Sequence, residues 1–192
     1  MTSSTPSTVV ASERIETERL ILRKPGPDDA DAIFTRYASD PDVVRYVGFA
    51  IHRSTEDTHG FLQRSDAEWK KDGVGAYLLE TREERRLLGG TGLHLENSYR
   101  AATGYVLAKD AWGMGYATEA LRAMVSLAGE LRIVRLSALT HPENVASWRV
   151  LEKCGFEREA VLRRHFRFPN LPGADPMDVY LYARIFDLER GA

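Results

Sequence analysis

The stretch "WGMGYATEAL", Trp112 to Leu121, holds two glycines two positions apart directly before a helical pattern. Ala117, Leu121, Met124, Val125 and Ala128 fall on one helical stripe, and the preceding "TGYVLAKD" reads as a strand running into a loop. Such a junction either serves tight turning or holds an anion on bare backbone N–H groups at a helix start. It contains no lysine and no G-K-[ST], so a P-loop nucleotide site is not expected, and a phosphate would be held mostly by backbone. A second junction, "THPENVASWRVLEKCGF", places Asn144 before another helix, where its plain role is a cap. Ser147, three residues later, carries a hydroxyl that either bonds its own helix or faces a ligand. Gly155 closes that helix and Phe156 returns the chain to the core.

Two other clusters invite chemistry. "RRHFRF", Arg163 to Phe168, interleaves basic and aromatic residues as single-strand nucleic-acid binders do. On a strand, however, Arg163, His165 and Arg167 share one face and Phe166 and Phe168 the other. A half-buried strand with a basic outer face is the preferred reading; it could also line a groove for an acidic acceptor. His52, His59 and His141 lack metal-ligand spacing with any carboxylate, so no metal is assigned.

The elements that must position these residues follow from local pattern. "RLILR", Arg19 to Arg23, alternates as a first strand, and residues 1–14 are Ser/Thr-rich and read as a disordered tail. Pro27 and two aspartates open a helix with Ala30, Ile33, Phe34 and Tyr37 on one face. A break and a short apolar segment follow in "DPDVVRYVGF". Ser54 begins a second helix with acids early and Lys70, Lys71 and Gly73 at its end, the charge order its dipole favours. Apolar runs at Val74–Glu80, Leu87–Glu96 and Thr103–Leu107 are separated by turns short enough for antiparallel hairpins. Beyond the glycine turn and its helix come a strand from Leu131 to Thr140 and the helix from Asn144 to Cys154. A last antiparallel pair, "FEREAVLRRHFRF" and "MDVYLYARIF", is joined by "PNLPGAD". Residues 15–190 therefore form one mixed α/β (α+β) domain with mainly antiparallel pairing.

Composition excludes several classes. The 26 basic and 28 acidic side chains leave a net charge near −2, which gives no bulk attraction to nucleic acid or an anionic membrane. The single cysteine, Cys154, rules out an internal disulfide framework and a multi-cysteine zinc site. No apolar run approaches the roughly 20 residues that span a bilayer, and the N-terminus lacks a secretory pattern. The expectation is a cytoplasmic protein, monomer or homodimer, with no nucleic-acid or membrane partner.

Taken together, the two junctions resemble those of the GNAT superfamily of acetyl-CoA-dependent N-acetyltransferases, in particular its RimJ/RimL-like branch, which acetylates ribosomal-protein N-termini. The resemblance runs from residue 16 to 187 through "ETERLILR", "DPDVVRYV", "LGGTGL", "GYVLAKDAWGMGYATEAL", "NVASWRVLEKCGFERE" and "DVYLYAR". It implies a twisted sheet splayed between the fourth and fifth strands, Thr103–Leu107 and Leu131–Thr140, with helices on both faces. It also implies that acetyl-CoA is bound and its acetyl group passed directly to a primary amine.

By that resemblance the pyrophosphate turn comprises Trp112, Gly113, Met114, Gly115, Tyr116, Ala117 and Thr118, with Trp112 where many relatives carry a polar residue. Tyr105, Val106 and Leu107 would pair their backbone with the pantetheine arm, and Asn144 would touch it. Leu151 occupies the position where many members carry an acidic tyrosine, which leaves Ser147 as the proton donor to the departing thiolate. Ala102 stands where the branch often has a glutamate base, so Glu96 and His94 become the replacement candidates. The expected function is acetyl transfer to an α-amine of a protein N-terminus, peptide or amino-acid-like molecule. Polyamines and amine antibiotics stay open as acceptors, and a non-catalytic acyl-CoA-binding sensor module is the alternative.

Overall fold

The computed structural model describes residues 10–173 and 175–187. Eight strands form one sheet: β1 (Arg14–Glu16), β2 (Leu20–Arg23), β3 (Ala76–Thr81), β4 (Leu87–Asn97), β5 (Arg100–Leu107), β6 (Arg135–Thr140), β7 (Glu157–Phe166) and β8 (Met177–Ile185). They lie side by side in the order β1-β2-β3-β4-β5-β6-β8-β7. All neighbours run antiparallel except β5 and β6.

That one parallel contact is short. It pairs Arg100 with Arg135, Ala101 with Leu136 and Ala102 with Ser137, and then stops. Thr103–Leu107 of β5 stays paired to β4, and Ala138–Thr140 of β6 stays paired to β8. The sheet is therefore open as a V between two halves that are each hydrogen-bonded on their own. The expected splay between the Thr103–Leu107 and Leu131–Thr140 segments is present.

Helices cover both faces. On one side α4 (Tyr116–Glu130) buries Ala120, Leu121, Met124, Leu127 and Ala128 against Leu20, Leu22, Tyr77 and Leu79, and α5 (Val145–Lys153) adds Leu151. On the other side lie α1 (Ala30–Ile33), α2 (Pro41–Val44) and α3 (Thr55–Asp72), packed around Leu62, Leu78 and Leu87. Alternation along β3 sends Tyr77 and Leu79 to the first layer and Leu78 to the second. α3 ends as its sequence predicts, with Gly73 in the left-handed region at φ 69° and its N–H bonded to the Trp69 carbonyl.

Several elements differ from the sequence expectation. Arg14–Glu16 forms a strand paired to β2, and Ala11 before it is buried with its N–H on the Gly73 carbonyl. Residues 1–9 of the expected tail lie outside the described residues. The first helix changes pitch: after α1, residues Phe34–Ala38 form a wider turn in which Ser39 bonds back to the Phe34 carbonyl through both its N–H and its hydroxyl. The extra residue in that turn brings both Tyr37 and Ala38 inward. Asp40 caps α2 by accepting from the N–H of Asp42, with Pro41 in the first turn. β5 begins at Arg100, inside the segment expected to be a turn. The segment after α4 turns at Arg132, with φ 57°, before β6 starts at Arg135.

Close strand approach explains the glycine-rich "LLGGTGL". A Cβ on Gly89 would lie 2.0 Å from the Val106 carbonyl oxygen, and one on Gly92 would lie 2.9 Å from that of Gly75. The backbones of β3, β4 and β5 can therefore close up beneath the mouth of the V only where no side chain intervenes.

Candidate active site

The opening between β5 and β6 leads into a cleft of about 340 Å³. Thr103–Val106 form one wall, Ala138–Thr140 the other, and Asn144, Ser147 and Leu151 of α5 close the end. The far side is built from Tyr37, Tyr46, Phe49 and Phe61, with Arg64 of α3 and His94 of β4 beside them.

At the C-terminal end of β5 the chain passes through the glycine turn into α4. Gly113 and Gly115 both adopt left-handed backbone, φ 75° and 82°, which answers why two glycines stand there. The turn and the first turn of α4 leave the N–H groups of Gly113 through Thr118 without a protein acceptor among the described residues. Such a run of donors at the positive end of a 15-residue helix has the chemistry of an anion cradle. Trp112 packs over it, half-exposed, with its indole N–H on the Leu107 carbonyl at 2.8 Å.

The turn is fastened from behind by residues the sequence did not single out. Arg19 donates to the Met114 carbonyl at 2.9 Å and to Glu119 at 2.7 Å, and its guanidinium lies 4.6 Å from the centre of the Tyr116 ring. Glu119 also accepts from the Thr17 hydroxyl at 2.6 Å and the Arg19 N–H at 2.8 Å. Burial pushes the Glu119 carboxyl up, but these donors outweigh it and hold the group below its ordinary value. Nothing local predicts this latch, because its partners are about a hundred residues apart.

Asn144 caps α5, its side-chain oxygen accepting from the Ser147 N–H at 3.3 Å. Ser147 itself is met from across the V. The Tyr105 hydroxyl donates to the Ser147 carbonyl at 2.7 Å and lies 3.1 Å from the Ser147 Oγ. Burial raises the Tyr105 hydroxyl well above the usual tyrosine range, so it stays protonated. Tyr105 thus contributes a side chain to the site as well as backbone, and it bridges β5 to α5.

The two base candidates separate. Glu96 lies at the hairpin end of β4, paired with Arg100 at 2.8 Å and outside the cleft. His94 lines the cleft. It is the direct cross-strand partner of Ala102, so the two side chains stand on the same face. Its Nδ1 is 2.5 Å from Oε1 of Glu68 on α3, and that hydrogen bond raises the imidazole above its ordinary value against an opposing effect of burial. With Nδ1–H donating to Glu68, Nε2 carries the free lone pair of the neutral ring.

Cys154 is buried, with its thiol on the Thr118 carbonyl at 3.6 Å and pushed up by desolvation. That is the environment of a packing cysteine. Among the described residues, no three His, Cys, Asp or Glu side chains group as metal ligands, and no helix is long and apolar enough to cross a membrane.

A sheet opened beside a donor-rich helix start is the architecture of acyl-CoA N-acyltransferases, and comparison with known proteins agrees. Residues 19–157 match the acetyltransferase (GNAT) domain. The uncharacterized N-acetyltransferase YoaA of Bacillus subtilis (strain 168) is 32% identical over 172 residues, 88% of this chain and 94% of that relative. A GNAT-family acetyltransferase from Bacillus anthracis superposes with a TM-score of 0.77 at 29% identity, over 90% of this chain and 98% of that one. RimL, a ribosomal L7/L12 α-N-protein acetyltransferase solved with coenzyme A, shares the fold at a TM-score of 0.78 and 20% identity, over 91% and 99%. The chain belongs to the GNAT family and is an acetyl-CoA-dependent acyltransferase.

Proposed function

We propose that the protein acetylates an α-amine, of a peptide or protein N-terminus or an amino-acid-like molecule, by direct attack on acetyl-CoA. The carrying observation is a cleft with Ser147 and the Glu68-bonded His94 on its walls, one of which, β5, runs on into the glycine turn with its unpartnered N–H donors. Acetyl-CoA supplies the activated acyl group; its pyrophosphate suits the N–H groups of Gly113–Thr118, and its pantetheine arm suits the open edge of Tyr105–Leu107, where the Leu107 carbonyl is held by Trp112. Trp112 shields the turn, and Asn144 contacts the arm while still capping α5. The name of RimL, an α-N-protein acetyltransferase, is consistent with this acceptor class and with the branch resemblance.

The glycine turn is testable without an acceptor. Acetyl-CoA at about 100 times its dissociation constant should stabilise the protein by roughly 2.7 kcal/mol. Gly115→Val puts a branched side chain on left-handed backbone where phosphate must approach, and should remove that stabilisation. A folded Gly115→Val protein with an unchanged thermal shift would take the turn out of the site.

His94 replaces Glu96 as the base in this reading. His94 Nε2 accepts the amine proton, while Glu68 fixes the tautomer and stabilises the imidazolium. Because Glu68 raises the imidazole, the acid limb of kcat/KM that belongs to His94 lies above the ordinary histidine value, and activity falls as pH drops through it. Folding responds the other way: the pair's contribution is complete below the unfolded histidine value and is lost as pH rises through the folded one. His94→Gln should cost about 10²- to 10⁴-fold in kcat, and Glu68→Gln should move the acid limb to lower pH. A limb unmoved by Glu68→Gln would be that of the acceptor amine alone.

The acceptor follows from the same chemistry. Freeing a lysine-like amine of pKa about 10.4 at pH 7 costs roughly 4.6 kcal/mol, against about 1.4 for an α-amine near 8. A histidine base offsets little of the first cost, so α-amines should outperform lysine side chains in coenzyme A release. A screen led by ε-amines would refute the preference.

Ser147 is the donor to the departing thiolate. It lies at the start of α5, where the dipole favours a developing negative charge by roughly 0.3–1 kcal/mol. Ser147→Ala should lower turnover about 10²- to 10⁴-fold with acetyl-CoA affinity nearly intact. A loss of only a few-fold would leave the proton to water and reduce Ser147 to the partner of Tyr105.

A further inference from the structure

The cleft wall contains no carboxylate among the described residues, and its one permanently charged side chain is Arg64. The carboxylates near it are already engaged. Glu68 is on His94 at 2.5 Å, Glu143 accepts from the Tyr46 hydroxyl at 3.1 Å, and Asp57 accepts from the Arg53 N–H at 2.8 Å. The other ionisable cleft groups do not add negative charge. His52 is buried on the Thr58 hydroxyl at 2.8 Å and held below its ordinary value by desolvation, hence neutral.

Arg64 has no ion-pair or hydrogen-bond partner among the described residues, although every other cleft polar group named above has one. It stands on α3 one turn before Glu68, an i,i+4 spacing that puts both side chains on one face of the helix. Gly60, one turn earlier, gives it room: a Cβ there would lie 3.3 Å from the guanidinium Nη1. Arg64 is exposed at the cleft rim, with its guanidinium free to meet an anion, and its planar fork matches a carboxylate or phosphate.

We infer that the acceptor carries an anionic group, carboxylate or phosphate, in addition to its amine, and that Arg64 binds it. The inference rests on the acceptor reading above and narrows it. Arg64 anchors the anion while His94, held by Glu68 one turn along, meets the amine. Polycationic amines are disfavoured, because the cleft has no free carboxylate to receive a second ammonium and Arg64 repels it. Specificity then comes from an attraction for one acceptor class and a repulsion of another.

The test is coenzyme A release from amine pairs that differ only in the anion. Glycine is set against glycinamide, glutamate against glutamine, and phosphoethanolamine against ethanolamine, with spermidine alongside. The amide of each amino acid has the less basic amine, so proton loss alone would favour the neutral member. The charged member should instead show a KM lower by 10-fold or more. The carboxylate and phosphate arms show which anion is preferred. Arg64→Gln should erase that difference while leaving neutral-amine turnover and acetyl-CoA binding unchanged. Preference for glycinamide, ethanolamine or spermidine would overturn the inference, as would an anion preference that survives Arg64→Gln. The within-pair outcomes leave the α-amine reading standing, whereas spermidine outperforming every α-amine would overturn that reading as well. An anionic ε-amine such as 6-aminohexanoate outperforming every α-amino acid would instead overturn the α-amine reading and leave Arg64 in place.

Discussion

β5 and β6 pair for three residues and then diverge, although both strands continue. A strand edge of this kind presents N–H and C=O groups that need partners when water is excluded. On the inner edge of Thr103–Leu107 the protein partners the Leu107 carbonyl, through the Trp112 indole N–H, and in the proposed reading an extended ligand with its own amide groups pairs with the rest as a strand would. The opening costs little elsewhere, because β5 keeps its full ladder to β4 and β6 its full ladder to β8. Two independently bonded half-sheets, joined at Ala102–Ser137, can gape without either losing its core. The glycine turn, the Asn144 cap, and the base and donor proposed for His94 and Ser147 are all carried by the elements on either side of that gap.

The two ends of the cleft solve different electrostatic problems. In the proposed reading the glycine turn attracts its anion through backbone donors and a helix start, while the nearby charges of Arg19 and Glu119 are spent on each other and on the Met114 carbonyl. The turn is thereby rigid before ligand arrives, and little ordering entropy remains to be lost on binding. The cleft walls present a protonated tyrosine, a serine and a histidine whose imidazole is raised by the carboxylate behind it. Neutral groups can be desolvated by an arriving thioester at modest cost, where a bare carboxylate could not. The histidine–glutamate pair is a compromise that keeps a negative charge one bond removed from the reacting centre.

Legibility in the sequence tracked distance along the chain. Gly113, Gly115, Gly73 and Asn144 were readable because turn torsions and caps are decided within four residues. The pairings of β3 with β4, β4 with β5 and β7 with β8 were readable because short connections force neighbours to pair. What escaped depends on register or on remote partners. His94 and Glu96 stand two residues apart and look alike as bases, but a register shift between Leu95 and Asn97 and the i,i+4 pairing with Arg100 take Glu96 to the hairpin. Only the pairing of His94 with Ala102 reveals that the imidazole stands where the branch's glutamate would have pointed. The short strand at Arg14–Glu16 escaped because Ser/Thr composition signals disorder and its support comes from remote partners: β2, Gly73, the Tyr77 hydroxyl on the Ser12 carbonyl, and the core under Ile15.

Leu151 and Tyr105 make the same point about chemistry. Leu151 is buried on α5 and offers no proton, yet a phenol hydroxyl stands beside Ser147 all the same, delivered by the opposite wall of the V. Its preferred acceptor is the Ser147 carbonyl, which leaves the Ser147 hydroxyl as donor in the bond between the two oxygens. Turning that hydroxyl toward a thiolate gives up one neutral hydrogen bond, worth about 0.5–1.5 kcal/mol net, in exchange for a stronger bond to an anion. Tyr105 loses no donor bond in the exchange, because its own proton stays on the carbonyl. The tyrosine therefore braces Ser147 at the cleft wall, and in the proposed reaction that serine does the work a tyrosine at Leu151 would do.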